Sequence, residues 1–242
     1  MKELDTMVLS IVIPCFDEAS TIETIVARAI DAPVHARKEI IIVDDGSTDA
    51  SPSIVEGLPR KYADRQDVAF VLLRHSSNRG KGAALRTGLA RATGDVILIQ
   101  DADLEYDPQD YPQLLEPIAA GRASAVFGSR RDSRRLSRAE PRHWRYIAAV
   151  RLLTGLANAL FRANLTDYAT GYKAFTKSAA DALHLTTDGF EVDAEITARL
   201  RKLGYEIVEV PIRYRPRTVS QGKKIRSMDA LRAAWIMVRE RV

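Results

Sequence analysis

The sequence predicts an α/β fold in which a mostly parallel sheet is flanked by helices. The first observation is a series of short, β-branched apolar runs, which are typical of strands buried on both faces. The second is that segments with helical periodicity lie between these runs, so strands and helices alternate along the chain. The five runs are residues 8–14, 40–43, 68–73, 96–99 and 123–127.

Four helices are predicted in this first part of the chain. Ser20 and Glu23 have the spacing of a capping box, which predicts a helix that begins there and runs to about residue 32. Asp49 and Pro52 are predicted to start the second helix, with Asp49 as its cap. The third and fourth helices are predicted over residues 81–92 and 110–119.

The pattern changes after Gly128, where residues 129–145 lack an apolar period and are predicted to form a basic loop. Further helices are predicted over residues 144–161, 192–203 and 227–241, and further strands over residues 172–175 and 206–212. The sequence shows no internal repeat or linker. It therefore predicts one domain over residues 1–226, with halves at 8–128 and 129–226, and a C-terminal amphipathic helix over 227–242.

The 242 residues have an ordinary globular composition, with 46% hydrophobic and 28% charged residues, which excludes collagen-like and wholly disordered chains. Cys15 is the only thiol, which excludes a disulfide framework and suits a reducing compartment. No signal peptide is evident, and no stretch approaches the roughly 20 apolar residues of a membrane span. We therefore expect a cytoplasmic protein that is soluble or lies on a membrane surface.

Positive charge is concentrated in two segments, although the net charge is only +4. Residues 130–151 hold eight arginines against two acids, and residues 211–226 hold six basic residues and no acid. Such segments predict an anionic partner, which could be a phosphate, a nucleic acid or a membrane surface. Two solvated loops are the alternative interpretation.

Acidic side chains follow the fourth predicted strand directly. Asp101 and Asp103 are two residues apart, so on an extended chain their carboxylates point to the same side, and Glu105 is a possible third ligand. Open α/β sheets bind ligands at the carboxyl ends of their strands. Carboxylates there suit Mg²⁺ or Mn²⁺ shared with the phosphates of a ligand. A solvated acidic loop is the alternative.

Two further polar segments follow predicted strands. Asp45, after the second strand, could accept hydrogen bonds from a ribose or a base. The glycine-rich turn at residues 78–82 precedes a helix, and its backbone amides, together with Arg79 and Lys81, would favour an anion. The spacing is not that of a P-loop. No Gly-x-Gly-x-x-Gly follows the first strand, which argues against a dinucleotide oxidoreductase.

Four motifs occur in order along the chain, at residues 14–18, 43–49, 80–82 and 101–103. Together they resemble the motifs of the family 2 glycosyltransferases of GT-A fold. Further motifs, at residues 128–130, 167–173, 217 and 222–223, resemble those of the dolichyl-phosphate mannose and glucose synthases within that family. The resemblance covers about residues 8–226. It implies a glycosyltransferase in which residues 8–128 form the nucleotide-sugar-binding half and residues 129–226 the acceptor-side half.

The resemblance also implies a role for each motif residue. The residues implied to bind the nucleotide-sugar are Pro14, Phe16, Glu18, Val43, Asp45, Lys81, Asp101, Ala102, Asp103, Arg130, Arg217 and Lys223. The implied ligands of Mg²⁺ or Mn²⁺ are Asp101, Asp103 and Glu105, the last standing where relatives often have glutamine. The implied catalytic residues are Asp103 at the metal, Arg130 at the diphosphate, and Arg217 and Lys223, which would close over the donor and acceptor phosphates.

The implied reaction is inverting transfer of a single sugar from GDP-mannose or UDP-glucose to a polyprenyl or dolichyl phosphate. The Gln-x-x-Arg-Trp motif of processive synthases is missing, while departures at Phe16, Asp17 and Lys224 leave the sugar and base open. A phosphate acceptor, with a second pKa of about 6, is mostly ionised and needs no general base. A soluble hydroxyl acceptor is the alternative and would need one. Asp193 and Glu195 are the candidates, unless they are merely acids of a helix first turn.

A lipid acceptor would give the basic segments a role. The arginine-rich loop, with Trp144 and Tyr146, would meet an anionic membrane surface, and the protein would be peripheral at its cytoplasmic face. No nucleic-acid partner is expected, because no aromatic-interleaved RNA motif occurs. A nucleotidyltransferase is an alternative class of enzyme. It should carry a glycine-rich basic signature near the first strand, and residues 14–20 do not have one. A non-enzymatic basic module that binds membranes or RNA would leave Asp101 and Asp103 unexplained.

Overall fold

The computed structural model describes residues 7–130, 141–217 and 227–241. Its sheet has seven strands in the order β3-β2-β1-β4-β6-β5-β7. The strands are β1 (Val8–Cys15), β2 (Arg37–Asp44), β3 (Val68–Arg74), β4 (Val96–Ile99), β5 (Ala125–Ser129), β6 (Lys173–Thr176) and β7 (Ile207–Pro211). The helices are α1 (Ile22–Ile30), α2 (Ser51–Lys61), α3 (Lys81–Leu89), α4 (Tyr111–Ala119), α5 (Pro141–Phe161), α6 (Lys177–Ala182), α7 (Val192–Lys202) and α8 (Ser227–Arg241).

All strands of the sheet except β6 run in the same direction. β1 pairs in parallel with β2 and β4, β2 with β3, and β5 with β7, whereas β6 is antiparallel to β4 and β5. The strand order reverses between β1 and β4, and open α/β sheets bind ligands at such a point, at the carboxyl ends of the strands. The structure confirms the predicted mostly parallel sheet, and it brings the loops after β1, β2 and β4 to one crevice.

Hydrophobic cores cover both faces of the sheet. In β1, Val12 faces the core formed with α3, α5, α7 and α8, while Ile11 and Ile13 face the core formed with α1, α2 and α4. Successive side chains of a strand point to opposite faces, so a strand covered on both sides must be apolar throughout. This requirement explains why short apolar runs predicted the central strands.

The predicted capping box at Ser20 and Glu23 is wrong. The residue that precedes α1 is Thr21, and its side chain does not cap the helix. The Thr21 hydroxyl instead donates to the Glu18 carboxylate at 2.9 Å. Glu23 pairs with Lys61 of α2, with 2.6 Å between the charged atoms. A tertiary partner for Glu23 has therefore replaced the local hydrogen bond that the sequence pattern suggests.

Three other boundaries differ from the predictions or add to them. Asp49 accepts a hydrogen bond from the first amide of α2 at 2.8 Å, although Ala50 holds the N-cap position. α5 begins at Pro141, inside the segment 129–145 predicted as a loop, and the fixed φ of proline suits a first helical turn. The sequence analysis did not predict α6, which follows β6 directly and is capped by the Thr176 hydroxyl.

Parts of the predicted basic segments, residues 131–140 and 218–226, lie outside the described residues. The division of the domain into two halves at residue 128 stays a prediction. Across the described helices, none is both long and apolar enough to cross a membrane.

Gly88 allows α3 to lie directly against the sheet. A Cβ at this position would overlap Val12 Cγ1 and lie 3.3 Å from Val43 Cγ2. We expect Gly88→Ala to lower the free energy of unfolding by about 1–2 kcal/mol, because overpacking costs more than the helix propensity of alanine returns. Gly57→Ala on α2 is the matched control, since its Cβ meets nothing within 4 Å. It should stabilise the protein by up to about 1 kcal/mol in urea unfolding, and an equal gain at both sites would contradict the packing argument.

Candidate active site

Carboxylates from the ends of β1 and β4 surround the guanidinium group of Arg217. Nη1 donates to both oxygens of Glu18, at 3.0 and 3.1 Å, and Nη2 donates to Asp103 Oδ2 at 2.5 Å. Nε lies 3.4 Å from Glu105 Oε1. We call Glu18, Asp103 and Glu105 the acid cluster. Because neighbouring carboxylates repel one another when ionised, a cation among them stabilises the charged state of all three.

A short segment after β7, residues 213–217, places Arg217 in the acid cluster. The Arg215 N–H donates to the Glu105 carbonyl oxygen at 2.8 Å, and the Arg217 N–H donates to Glu105 Oε1 at 3.0 Å. The Tyr214 hydroxyl donates to Glu105 Oε2 at 2.7 Å. Glu105, predicted as a metal ligand, therefore also anchors the backbone that carries Arg217.

The Asp103 carboxyl group is buried beside two other acids. Burial and the charges of Asp101 and Glu105 raise the pKa of Asp103 to about 7, although Arg217 acts in the opposite direction. Burial opposes the charge on Arg217, but Asp103 and Glu18 raise its pKa overall. The charge of Asp103 therefore depends on the cation bound to it.

Asp101 is held by a different cation, Lys81 at the start of α3. The Lys81 Nζ lies 2.7 Å from Asp101 Oδ1. Burial opposes the charge on Lys81, yet the carboxylates of Asp101 and Asp193 raise its pKa. Gly171 borders the other oxygen, because a Cβ there would overlap Asp101 Oδ2. Lys81, predicted among the donor-binding residues, thus contacts a predicted metal ligand directly.

A second buried lysine, Lys173 on β6, lies at the end of the motif at residues 167–173. Its Nζ lies 2.6 Å from Asp193 Oδ1, donates to the Thr170 carbonyl oxygen, and is 4.9 Å from the centre of the Phe127 ring. Burial lowers the pKa of Lys173, and the Asp193 carboxylate opposes that shift. No local pattern could have identified this pair, because its members are 20 residues apart.

Both candidate general bases are engaged in other contacts. Asp193 is bound by the buried lysine of β6. Glu195 accepts hydrogen bonds from the backbone and hydroxyl groups of Thr186 and Thr187, at 2.6 to 2.9 Å, and lies 2.8 Å from Arg199. Burial favours its neutral form, but the hydrogen bonds from Thr187 and Thr186 lower its pKa overall. These contacts favour a structural role for both acids at the start of α7.

Arg130, predicted to meet the diphosphate, follows β5 and forms a buried ion pair with Asp167. Its Nε and Nη2 donate to the two carboxylate oxygens at 2.6 and 2.7 Å. The guanidinium carbon lies 5.0 Å from the centre of the Tyr214 ring, and Nη1 is 3.5 Å from the Tyr106 hydroxyl. The bidentate pair therefore fixes Arg130 beside the two tyrosines that border Glu105.

The glycine-rich turn binds an anion that belongs to the chain itself. The backbone N–H groups of Arg79 and Gly80 donate to the Asp45 carboxylate at 2.7 to 3.1 Å. Gly80 has a φ of +102°, and a Cβ there would overlap the Asp188 carbonyl oxygen, so the turn requires glycine. His75 Nδ1 lies 2.6 Å from Asp45 Oδ1. The sequence analysis missed His75, which nothing in its local sequence distinguishes.

Among the residues that the structure describes, the remaining ones that were predicted to bind the nucleotide-sugar are not part of these ion pairs and hydrogen bonds between side chains. Pro14 and Phe16 are half-buried at the end of β1. Val43 and Ala102 are buried, and their side chains pack in the hydrophobic cores. Lys223 lies outside the described residues.

The carboxylate oxygens of this crevice suit a hard divalent cation by their chemistry. Arg217 already places a positive charge in the acid cluster, so the cluster stabilises a cation. Within the described ranges, however, no three acidic, histidine or cysteine side chains converge as a preformed metal centre. Asp101, Asp103 and Glu105 offer the oxygens, but each is paired with Lys81 or Arg217. A metal ion at these oxygens would replace an internal cation.

Breaking the Arg130–Asp167 pair should destabilise the protein strongly. The two side chains are only 8% and 7% exposed, so Asp167→Ala leaves a buried charge without its partner. We expect the free energy of unfolding to fall by more than about 2 kcal/mol in urea unfolding, because a short bidentate contact between two buried charged groups is lost. Glu116→Ala is the matched control, because it removes an exposed pair with Arg122. It should cost less than about 1 kcal/mol, and similar losses for both variants would contradict the burial of the pair.

The raised pKa of Asp103 predicts how stability depends on pH. Its folded value of about 7 lies above the ordinary value of 3.8, so between these values the folded state binds more protons than the unfolded state. The contribution of Asp103 to stability therefore falls as pH rises through this range. In urea unfolding at a series of pH values, wild type should lose stability relative to Asp103→Asn as pH rises.

The exposed Glu56→Gln serves as the matched control for this measurement. The difference in unfolding free energy between Glu56→Gln and wild type should stay nearly constant across the same range of pH. If the unfolding free energy of wild type minus that of Asp103→Asn stays constant or increases as pH rises, the raised pKa of Asp103 is contradicted.

Comparisons with known proteins place this geometry in context. The family described as Glycosyl transferase family 2 matches residues 10–183. The dolichol-phosphate mannosyltransferase of Pyrococcus furiosus is 28% identical over 90% of this chain and 61% of its own length. A solved mannosyltransferase from Pyrobaculum calidifontis, in complex with GDP-Man and Mn²⁺, has a TM-score of 0.56 at 23% identity, over 85% of this chain and 55% of that one. Glucosyl-3-phosphoglycerate synthase from Mycobacterium tuberculosis, in complex with Mn²⁺, UDP and glucosyl-3-phosphoglycerate, has a TM-score of 0.64 at 20% identity, over 97% and 80%.

These similarities differ in what they show. The chain spans less than two thirds of the length of the first curated relatives that it matches. The two solved structures are less than 25% identical, so they show the GT-A fold alone. The family match covers well over half of the chain and confirms the resemblance seen in the motifs. The chain therefore belongs to glycosyltransferase family 2.

Proposed function

We propose that this chain transfers a single sugar from a nucleotide-sugar to a polyprenyl phosphate, with a divalent cation at Asp101 and Asp103. The observation that carries the proposal is the convergence of Glu18, Asp103 and Arg217 at the carboxyl edge of β1 and β4. Open α/β sheets bind ligands at this edge, and a site of carboxylates paired with Lys81 and Arg217 suits a diphosphate and its cation. The name of the Pyrococcus furiosus relative, a dolichol-phosphate mannosyltransferase, supports the choice of acceptor.

On the donor side, the chain must stabilise the negative charge that develops on the leaving diphosphate. A divalent cation, when bound, supplies Lewis-acid stabilisation of that charge. Asp101 and Asp103 would hold it, and the guanidinium of Arg217 could then donate two parallel hydrogen bonds to phosphate oxygens. Arg130 adds a positive charge that Asp167 holds in a fixed position.

Asp45 is proposed to accept a hydrogen bond from the ribose or the base of the donor. A carboxylate offers about four acceptor sites, and the backbone of Arg79 and Gly80 together with His75 uses only part of them. These donors also fix the orientation of the carboxylate. Calorimetry with UDP- and GDP-sugars, with and without Mn²⁺ or Mg²⁺, identifies the base and the metal.

On the acceptor side, the contacts of the candidate bases favour a phosphate nucleophile. An ionised phosphate can attack without a general base, whereas a hydroxyl group cannot do so efficiently. Asp193 is bound to Lys173, and Glu195 accepts four hydrogen bonds, so neither is poised to accept a proton. A soluble hydroxyl acceptor is therefore the weaker candidate.

A lipid-linked acceptor implies work at a membrane surface, and we infer a peripheral location at its cytoplasmic face. The predicted contacts in the arginine-rich loop, with Trp144 and Tyr146, lie outside the part of the chain whose side chains are described. Arg130, Arg213 and Arg217 pair with acids inside the protein. The positive charge of Arg130 and Arg217 is therefore not available to a bilayer, whereas the side chain of Arg213 is 61% exposed.

Asp103→Asn should lower transfer by at least about 100-fold, because it removes a carboxylate that would hold the divalent cation, and the cation stabilises the negative charge on the leaving diphosphate. Arg217→Gln should lower it by more than about tenfold, since a hydrogen bond to a charged group contributes about 1.5–3 kcal/mol. The measurement is formation of lipid-linked sugar, by mass spectrometry, from a short-chain polyprenyl phosphate and a panel of nucleotide-sugars.

Glu56→Gln removes one exposed negative charge from α2 and is the control, for which transfer at the wild-type rate is expected. Full turnover by Asp103→Asn at saturating Mn²⁺ would remove the metal role. Transfer to a soluble hydroxyl acceptor but not to the lipid phosphate would overturn the proposed acceptor.

A further inference from the structure

A cavity of about 330 Å³ lies where the C-terminal ends of α5, α7 and α8 meet. Its lining residues are Leu160, Phe161, Arg162, Arg201, Lys202 and Arg241. α7 ends there just before β7 begins, so the cavity is at the amino edge of the sheet, opposite the acid cluster. It shares no residue with the candidate active site.

The cavity has an excess of positive charge. Within the described chain, Arg162 and Arg241 have no acidic partner. Arg201 donates only to carbonyl oxygens, those of Phe161 at 3.2 Å and Tyr205 at 2.9 Å. Lys202 lies 3.9 Å from a carboxylate, that of Glu240, which forms a closer pair with Arg239 at 2.8 Å.

Helix dipoles account for some of this charge but not for the cavity. Cations near a helix C-terminus are stabilised by the partial negative charge of the last carbonyl groups. That effect operates along the whole last turn and does not require four basic side chains from three helices to border one space. Held by two carbonyl oxygens, the guanidinium of Arg201 presents its remaining N–H groups as a preorganised donor for an oxyanion.

An apolar face of α8 leads to this cavity. Its exposed side chains are Met228, Leu231, Trp235 and Val238, with 57%, 65%, 61% and 51% of their surface accessible. Their spacing of three, four and three residues places them on one side of the helix, and Arg241 follows three residues later. The opposite side of α8 is buried, with Ala233, Ile236 and Met237 in the core. The exposed apolar face therefore does not serve the packing of the described fold.

We propose that the apolar face of α8 and the basic cavity together bind an anionic phospholipid at a bilayer surface. Trp235 and its apolar neighbours would enter the boundary between headgroups and acyl chains, as amphipathic interfacial helices do. The headgroup phosphate would be bound by the arginines of the cavity, whose planar donors match phosphate oxygens. Charge complementarity selects this occupant, because an apolar face that ends in unpaired arginines matches an anionic lipid better than a second copy of a cationic chain.

This phospholipid site is separate from the proposed transfer reaction. A nucleotide-sugar or an acceptor phosphate at the crevice would contact the carboxyl edge of the sheet, whereas the phospholipid contacts its amino edge. The site would bring the enzyme to the surface where a lipid-linked acceptor is found. Its phosphate is a ligand and takes no part in group transfer.

The test is co-flotation of the full chain with phosphatidylcholine vesicles that contain or lack phosphatidylglycerol. The double variant Arg162→Gln, Arg241→Gln should lower the partition coefficient onto the anionic vesicles by about 30-fold, since each basic residue near such a surface contributes about 1 kcal/mol. The matched control is Arg60→Gln, Arg91→Gln, which removes the same charge from exposed positions on α2 and after α3. It should change the partition coefficient by less than threefold.

Further measurements distinguish a phospholipid from two other possible occupants, a second copy of the chain and free inorganic phosphate. Trp235→Ser should weaken flotation without changing the sedimentation coefficient; if it instead dissociates a dimer, the face binds a second copy and the proposal fails. Equal flotation of the two double variants also overturns it. So does calorimetric binding of inorganic phosphate that the Arg162 and Arg241 substitutions abolish while leaving flotation unchanged. Vesicle binding is measured without donor or acceptor, so its failure leaves the proposed transfer function standing.

Discussion

The candidate site depends on the neutralisation of carboxylates crowded at the carboxyl edge of β1 and β4. Carboxylates this close repel one another unless cations lie among them, and burial adds to the effect at Asp103. Two internal cations meet this need, Lys81 on Asp101 and Arg217 on the acid cluster. Lys81 begins α3, whereas Arg217 follows the last strand. The crevice is therefore complete only when the end of the sheet is in place, which couples the C-terminal part of the fold to the site.

The contacts that neutralise these carboxylates also position other residues around the crevice. Glu105 anchors segment 213–217, and Tyr214 in that segment borders the guanidinium of Arg130. The basic segment that the sequence predicts to face an anionic partner is thus partly turned inward. Arg217 is held by the acid cluster, and Arg213 lies 3.2 Å from the buried carboxylate of Asp110, although 61% of its own side chain is exposed. Charge counted along a sequence overstates what is available at the surface when acids distant in sequence lie opposite.

The sequence predicted those features that one segment determines by itself. A strand buried on both faces must be apolar, so β1 and β4 were visible as runs, and acids directly after β4 had to lie at its carboxyl end. Pairings between distant residues were not visible. Arg217 and Asp103 are 114 residues apart, and His75 meets Asp45 across 30. Residue type shows that a charge exists, but only the fold shows which opposite charge or donor is within reach.

Some local sequence patterns also failed to predict the contact that forms. At the start of α1, Glu23 binds a lysine of α2 and does not cap its own helix.

The same dependence on opposite charges applies to ligands at the two edges of the sheet. The carboxyl edge is acidic, so it can bind a phosphate only through a cation placed between them, either a metal ion or Arg217. Among the residues that the structure describes, Arg162 and Arg241 at the amino edge have no acidic partner, so the proposed phosphate would bind there directly. The helix dipoles of α5, α7 and α8 offset only part of the electrostatic repulsion among these arginines. A bound anion would reduce that repulsion further. The two proposed phosphate sites thus differ: binding at the crevice would exchange an existing ion pair, whereas binding at the cavity would supply a counter-ion that the described part of the fold does not provide.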